Sequence, residues 1–122
     1  MAYFHRNVYE GMLRRMRPEA CTTDPAGVVG VKAAADSYVN RHFQIFEAEL
    51  GDGPFLFGER IMMFDIYLWM LTWWIDGALL AAECPRVHRL GKAASARPVL
   101  AAVTARHGLG WTIPQPRRSQ DA

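Results

Sequence analysis

Apolar positions recur every three or four residues along most of this chain, the period of helices that each bury one face. In residues 3–17, YFHRNVYEGMLRRMR, the side chains of Phe4, Val8, Met12 and Met16 step by four, with Tyr9 and Leu13 alongside. That spacing predicts a first helix, ended by Pro18, because the residue before a proline is disfavoured in the α region. Gly11 weakens this helix and marks a close contact. No Ser, Thr or Asp stands before Tyr3 as a cap, so the chain is expected to begin inside a helix, as a piece of a longer parent would. Residues 18–25, PEACTTDP, read as a loop in which Thr23 or Asp24 caps the next helix and Pro25 takes its first position.

A long helix is predicted over 26–50. Val28, Val31, Ala35, Val39, Phe43, Phe46 and Leu50 form one continuous stripe, while Lys32, Asp36, Asn40, Arg41 and Glu47 fall mostly outside it. Gly51-Asp52-Gly53-Pro54 then breaks the chain sharply. A short apolar arm, Phe55-Leu56-Phe57-Gly58, leads into the greasiest stretch, IMMFDIYLWMLTWWIDGALLAA at 61–82. Its apolar residues point in every helical direction, which predicts a helix wrapped by others. The run between Asp65 and Asp76 is too short for a membrane span, which needs about 20 predominantly apolar residues and tolerates aspartate poorly. A single central helix is therefore expected from Asp65 to about Leu80, continuing toward Glu83. Asp65 at its mouth is suited to accept from free backbone N–H groups and to complement the helix dipole.

Beyond Pro85, the stretch Arg86 to Ala96 predicts a short helix with Val87, Leu90 and Ala94 inward. Arg97-Pro98 opens a last helix, 98–107, packed by Leu100, Val103 and Thr104 and stopped by Gly108 and Gly110. In the tail, GLGWTIPQPRRSQDA, Trp111 and Ile113 are the residues able to dock back. No period-two run occurs. The expected fold is all-α, a bundle of about five helices around a buried central one, with residues 1–110 as the helical domain and 111–122 as a polar, Pro-rich tail.

Composition narrows the chemistry. The 122 residues suit one domain, and 51% hydrophobic residues suffice for a core. A net charge of +2, with acids interspersed among the arginines, makes no basic stripe for nucleic acid. Arg14, Arg15 and Arg17 cluster, as do Arg117 and Arg118, in the manner of solvated surface or a charged helix end. Cys21 and Cys84 lie far apart with no CxxC spacing, so neither a disulfide framework nor a metal site follows, and a reducing cytoplasm fits best. The N-terminus lacks the basic and apolar regions of a secretory signal. His5, His42, His88 and His107 share no ligand spacing, and His42 is expected half-buried beside the stripe. No phosphate-cradling glycine loop or nucleophile elbow is present.

The order of signals carries a resemblance. A long amphipathic helix, a GDGP break, FLFGERIMMFDIYL, a buried helix, a Cys-Pro break and ARPVLAAV follow one another. Together they resemble the C-terminal helical domain of cytosolic glutathione transferases, through Phe55, Leu56, Gly58, Asp65, Ile66, Pro85, Arg97 and Pro98, and over residues 3–108. The family places Ser or Thr three residues before the aspartate, completing a reciprocal capping box. Met62 stands there instead, so Asp65 is expected to cap alone or with the backbone, at a cost of about 0.5–2 kcal/mol relative to Ser. Phe64 replaces a usually small residue, which calls for wider local packing.

The resemblance implies that this chain forms one wall of a pocket for a hydrophobic electrophile, in a conjugating and detoxifying transferase. Glutathione, the co-substrate, and the residue that activates its thiol would belong to a thioredoxin-like domain upstream, absent from these residues, so the chain carries neither cofactor nor catalytic residue. It implies Tyr9, Glu10, Leu13 and Trp111 as substrate-contacting residues, Asp65 as a structural cap, and a homodimer. Against these stand plainer roles: Tyr9 and Leu13 as interface packing, Glu10 as a solvated charge and Trp111 as a cover for the core. Tyr67, Trp69, Trp73 and Trp74 are read as core, with a hydrophobic ligand cavity as the alternative. The face from Phe4 through Met16 is expected to be bare without a neighbour, which predicts self-association. The other function class is a non-catalytic interaction module of the same fold, as in translation factors and aminoacyl-tRNA synthetase assemblies.

Overall fold

The computed structural model describes residues 2–108. It divides into two compact units, residues 1–45 and the chain from Phe46 onward. Among the described residues there are six helices and no strand. The first, α1, comprises Ala2–Phe4, a π-helical turn His5–Tyr9 and an α segment Glu10–Met16. Then come α2 (Val28–Glu49), α3 (Met63–Thr72), α4 (Gly77–Glu83), α5 (Pro85–Ser95) and α6 (Pro98–Arg106). No described helix is long and apolar enough to cross a membrane.

In the first unit α1 lies against the leading half of α2. Phe4, Val8 and Met12 on one side and Ala35, Val39 and Phe43 on the other are buried. The face expected to be bare is therefore largely covered by the chain itself, and only Tyr3, Leu13 and Met16 stay exposed. Gly11 is the reason. A Cβ there would stand 2.9 Å from Val39 Cγ2 and 3.3 Å from Tyr38 Cδ1, so only glycine permits this approach. Polar contacts flank the apolar seam. Tyr38 Oη donates to Asn7 Oδ1 at 2.6 Å, Arg15 Nε meets Asp36 Oδ1 at 2.6 Å, and Tyr3 Oη bonds His42 Nδ1 at 2.7 Å. Before α2, Asp24 accepts from Ala26 N–H at 2.9 Å, and Pro25 opens a 3₁₀ turn that feeds the helix.

The second unit is built around α3. Its buried residues are Asp65, Leu68, Trp69, Leu71 and Thr72. Asp65 is fully buried (0% exposed) and uses both oxygens: Oδ2 accepts from Met62 N–H at 2.8 Å and Oδ1 from Leu56 N–H at 2.9 Å. One side chain thus caps the helix and fastens the preceding arm to it. Met62 keeps the extended backbone of a cap, with φ −120° and ψ 167°. A thioether, a weak acceptor, replaces the hydroxyl of a full capping box, and the Asp65 N–H bonds the Met62 carbonyl at 3.0 Å. The arm folds on itself through reciprocal Phe55–Gly58 backbone bonds of 3.0 and 3.2 Å. Gly58 has φ +86°, and a Cβ on Gly53 would stand 2.8 Å from Gly58 Cα, so the GDGPFLFG turn requires both glycines.

The expected single central helix is two. After Thr72 the backbone tightens through Trp73–Met70, Trp74–Leu71 and Ile75–Thr72 bonds of the i→i−3 kind, and Asp76 restarts it by accepting from Leu79 N–H at 2.9 Å. The Asp-Gly pair at 76–77 therefore acts as a new N-cap inside an apolar run. The two halves also differ in burial, because in α4 only Leu80 is buried while Leu79 faces solvent. This split raises the count from about five helices to six.

Helix α5 has no side-chain cap of its own. Glu47, from the end of α2, supplies one across the sequence, its carboxylate accepting from Arg86 N–H (2.9 and 3.0 Å) and Val87 N–H (3.0 Å). Arg89 holds the preceding break by donating to the Gly51 and Gly53 carbonyls at 2.6 and 2.9 Å. Trp69 Nε1 donates to Ser95 Oγ at 2.8 Å and ties α3 to α5. Cys84, between α4 and α5, is buried, and its thiol is pushed up to about 11 by burial first, then by Glu47 and Glu83.

These contacts have measurable consequences. Asp65→Ala leaves two part-buried N–H groups without their carboxylate and is expected to cost about 1–2 kcal/mol in urea denaturation, whereas Met62→Thr restores the hydroxyl and adds about 1 kcal/mol. The His42 imidazole is held below its ordinary value by burial first and then by Arg41. A lowered folded value gives stability that is complete above the unfolded pKa of about 6.5 and lost as pH falls through the folded one. Melting from about pH 7 down to about pH 5 should therefore show a smaller loss in His42→Gln than in the parent chain. Cys84 runs the other way: its raised value gives stability that falls as pH rises from about 9 through about 11. With dithiobis(nitrobenzoate), exposed Cys21 should react in the native chain and Cys84 only after denaturant is added.

Candidate functional site

The residues singled out from the sequence fall in three places. Tyr9 closes the π-turn of α1, half-buried, its ring stacked on His5 at 5.1 Å and 13°. The turn itself is closed by the Glu10 N–H bonding the His5 carbonyl, the wide spacing often seen at functional sites. Glu10 is exposed and pairs with Arg14 at 3.5 Å. Leu13, 48% exposed, lies one turn beyond Tyr9, and Met16, 57% exposed, continues this outer flank. Tyr9, Glu10 and Leu13 are thus brought onto one stretch of α1. Trp111 lies outside the described residues. Asp65 has both oxygens engaged by backbone N–H groups, a cap's arrangement rather than that of a proton-transfer group.

A second feature sits within the unit that starts at Phe46. A cavity of about 310 Å³ is lined by Trp69, Met70, Trp73 and Trp74 from α3 and the turn after it, and by Val103, Thr104 and His107 from α6 and its end. Trp69 and Trp73 meet edge to face at 5.3 Å and 81°, making a rigid aromatic corner. Trp69 is buried as core, but Trp73 and Trp74 are only half-buried. Trp69 is thus core and cavity wall at once, while Trp73 and Trp74 are half-buried lining. Tyr67, grouped with them by sequence, is not among the lining residues.

Helix α6 fully buries none of its residues, and Val103 beside the cavity remains 43% exposed. Thr104 Oγ1 donates to the Ala101 carbonyl at 2.8 Å, which leaves its oxygen free to act as acceptor only. Sequence reasoning placed Val103 and Thr104 as packing and gave His107 no role. The signal available was the weak apolar stripe of 98–107. No group of three or more His, Cys, Asp or Glu among the described residues is arranged to hold a metal ion. Cys84, buried and pushed up to about 11, is no nucleophile near neutrality.

A family model described as glutathione S-transferase, C-terminal domain, matches residues 30–106, from the first turn of α2 to the last residue of α6. No curated protein and no solved structure matches the chain. The matched span contains the arm, the Asp65 cap, the Cys84-Pro85 break and the Arg97-Pro98 helix start, the features that carried the resemblance. The all-helical fold agrees, and the chain belongs to the glutathione S-transferase C-terminal domain family.

Proposed function

We propose that this chain is the helical half of a glutathione transferase-like protein and forms the hydrophobic-substrate wall for glutathione conjugation. The observation that carries this is the family match over residues 30–106. The outer flank of α1 supports it, since Tyr9 and Leu13 present apolar surface with Glu10 beside them. In this proposal Tyr9 and Leu13 pack against the electrophile, Glu10 sets the polarity of the wall's edge, and Trp111 is proposed as a fourth substrate contact. The described residues contain no strand, so the glutathione site and the group that activates its thiol would come from a thioredoxin-like domain outside these 122 residues. Conjugation then passes the thiol proton to the activating group or to water, joins the glutathione sulfur to the electrophilic carbon and breaks that carbon's bond to the leaving group, which departs with its electron pair. We further propose a cytoplasmic homodimer, with the exposed Leu13 and Met16 flank available to a neighbouring domain.

The test joins a coding-sequence check to kinetics. The sequence upstream of Met1 should encode a thioredoxin-like domain, and the protein containing both should conjugate glutathione to 1-chloro-2,4-dinitrobenzene while the isolated chain does not. In the two-domain protein, Leu13→Ala and Tyr9→Ala are expected to raise KM for the arene about fivefold and to leave KM for glutathione unchanged. No upstream domain, together with no conjugation in any pairing, would favour the interaction module instead.

A further inference from the structure

We infer that the tryptophan-lined cavity between α3 and α6 is a binding site for a planar, bicyclic phenolic arene, separate from the α1 flank assigned above to the electrophile. Its volume of about 310 Å³ falls at the small end of ligand pockets, roughly 300–1,000 Å³, which suits two fused rings and not a large cofactor. The apolar lining is aromatic and stiff. Trp69 is locked by its hydrogen bond to Ser95, and Trp73 stands at 81° to it, so a flat molecule has one indole face to stack on and one edge to meet. Met70 and Val103 supply adaptable apolar contact.

The polar lining sets the class. Thr104 has spent its only hydrogen on the Ala101 carbonyl, so toward a ligand it accepts. His107, at the exposed end of α6, has a ring nitrogen able to donate. A hydroxyl that donates to Thr104 Oγ1 and accepts from His107 satisfies both at once. A phenol offers that hydroxyl in the plane of its rings, where stacking on the indole leaves it pointing outward.

The full chain would be titrated with 2-naphthol and, separately, with naphthalene, following the assigned tryptophan indole N–H signals by two-dimensional NMR. Saturable shifts confined to Trp69, Trp73 and Trp74 are expected with 2-naphthol, and about tenfold weaker ones with naphthalene. Thr104→Val should bring 2-naphthol down to the level of naphthalene, while Leu13→Ala should leave both unchanged. Val103→Trp should abolish both by filling the space, and circular dichroism of each variant checks that the helices persist. If 2-naphthol shifts none of the three indoles, or if Thr104→Val leaves the preference for 2-naphthol intact, the assignment is overturned. It is equally overturned if the free chain shows Trp111 in nuclear Overhauser contact with the Met70 methyl and naphthol fails to displace it, since the tail then owns the cavity.

Discussion

A buried carboxyl group with two backbone hydrogen bonds holds the larger unit together. Burying a polar side chain without partners is costly, and Asp65 is tolerated at the helix mouth only because both oxygens are occupied. The two N–H groups come from different places. Met62 belongs to the helix start, and Leu56 to the arm. The arm's own turn then depends on Gly53 and Gly58 meeting backbone to backbone. Removing any of these members loosens the path by which the chain enters its central helix, which is why the weak thioether at Met62 is survivable: the aspartate does not depend on it.

Much of this organisation was legible because it is local. Of the predicted stripe, Ala35, Val39, Phe43, Phe46 and Leu50 are buried while Val28 and Val31 at its start are half-buried, and Pro25 and Pro98 open helical segments as expected; Pro85, read as a break before Arg86, is itself the first residue of α5. What sequence missed is mostly nonlocal. Glu47 was placed only outside the apolar stripe of a long helix, yet it caps a helix that starts 38 residues later. Tyr3 and His42, 39 residues apart, meet only once α1 is seated on α2. The division of the central helix was different, for its signal was present. Asp76-Gly77 is a cap signature, but it lay inside so apolar a run that the periodicity outweighed it.

The candidate sites divide in the same way. Tyr9 and Leu13 were found by position in a family pattern, and the π-turn that stacks His5 on Tyr9 could not have been foreseen from propensity, since no residue type demands that turn. The tryptophans were visible as an apolar cluster, but whether such a cluster becomes core or cavity depends on what packs opposite. Here the opposing helix offers Val103, Thr104 and His107, and Trp73 and Trp74 are left partly uncovered. The family's fold thus leaves room for a chemistry of its own beside α6.

The dependence on Asp65 is open to a direct measurement. Native-state hydrogen exchange of the Leu56 and Met62 amides, read by NMR, reports whether these two bonds survive local fluctuations. The account predicts that both amides exchange only through global unfolding, with the same protection as Leu68 and Leu71 in the helix core. Exchange of either amide at the rate of an exposed loop, while the helix core stays protected, would contradict it.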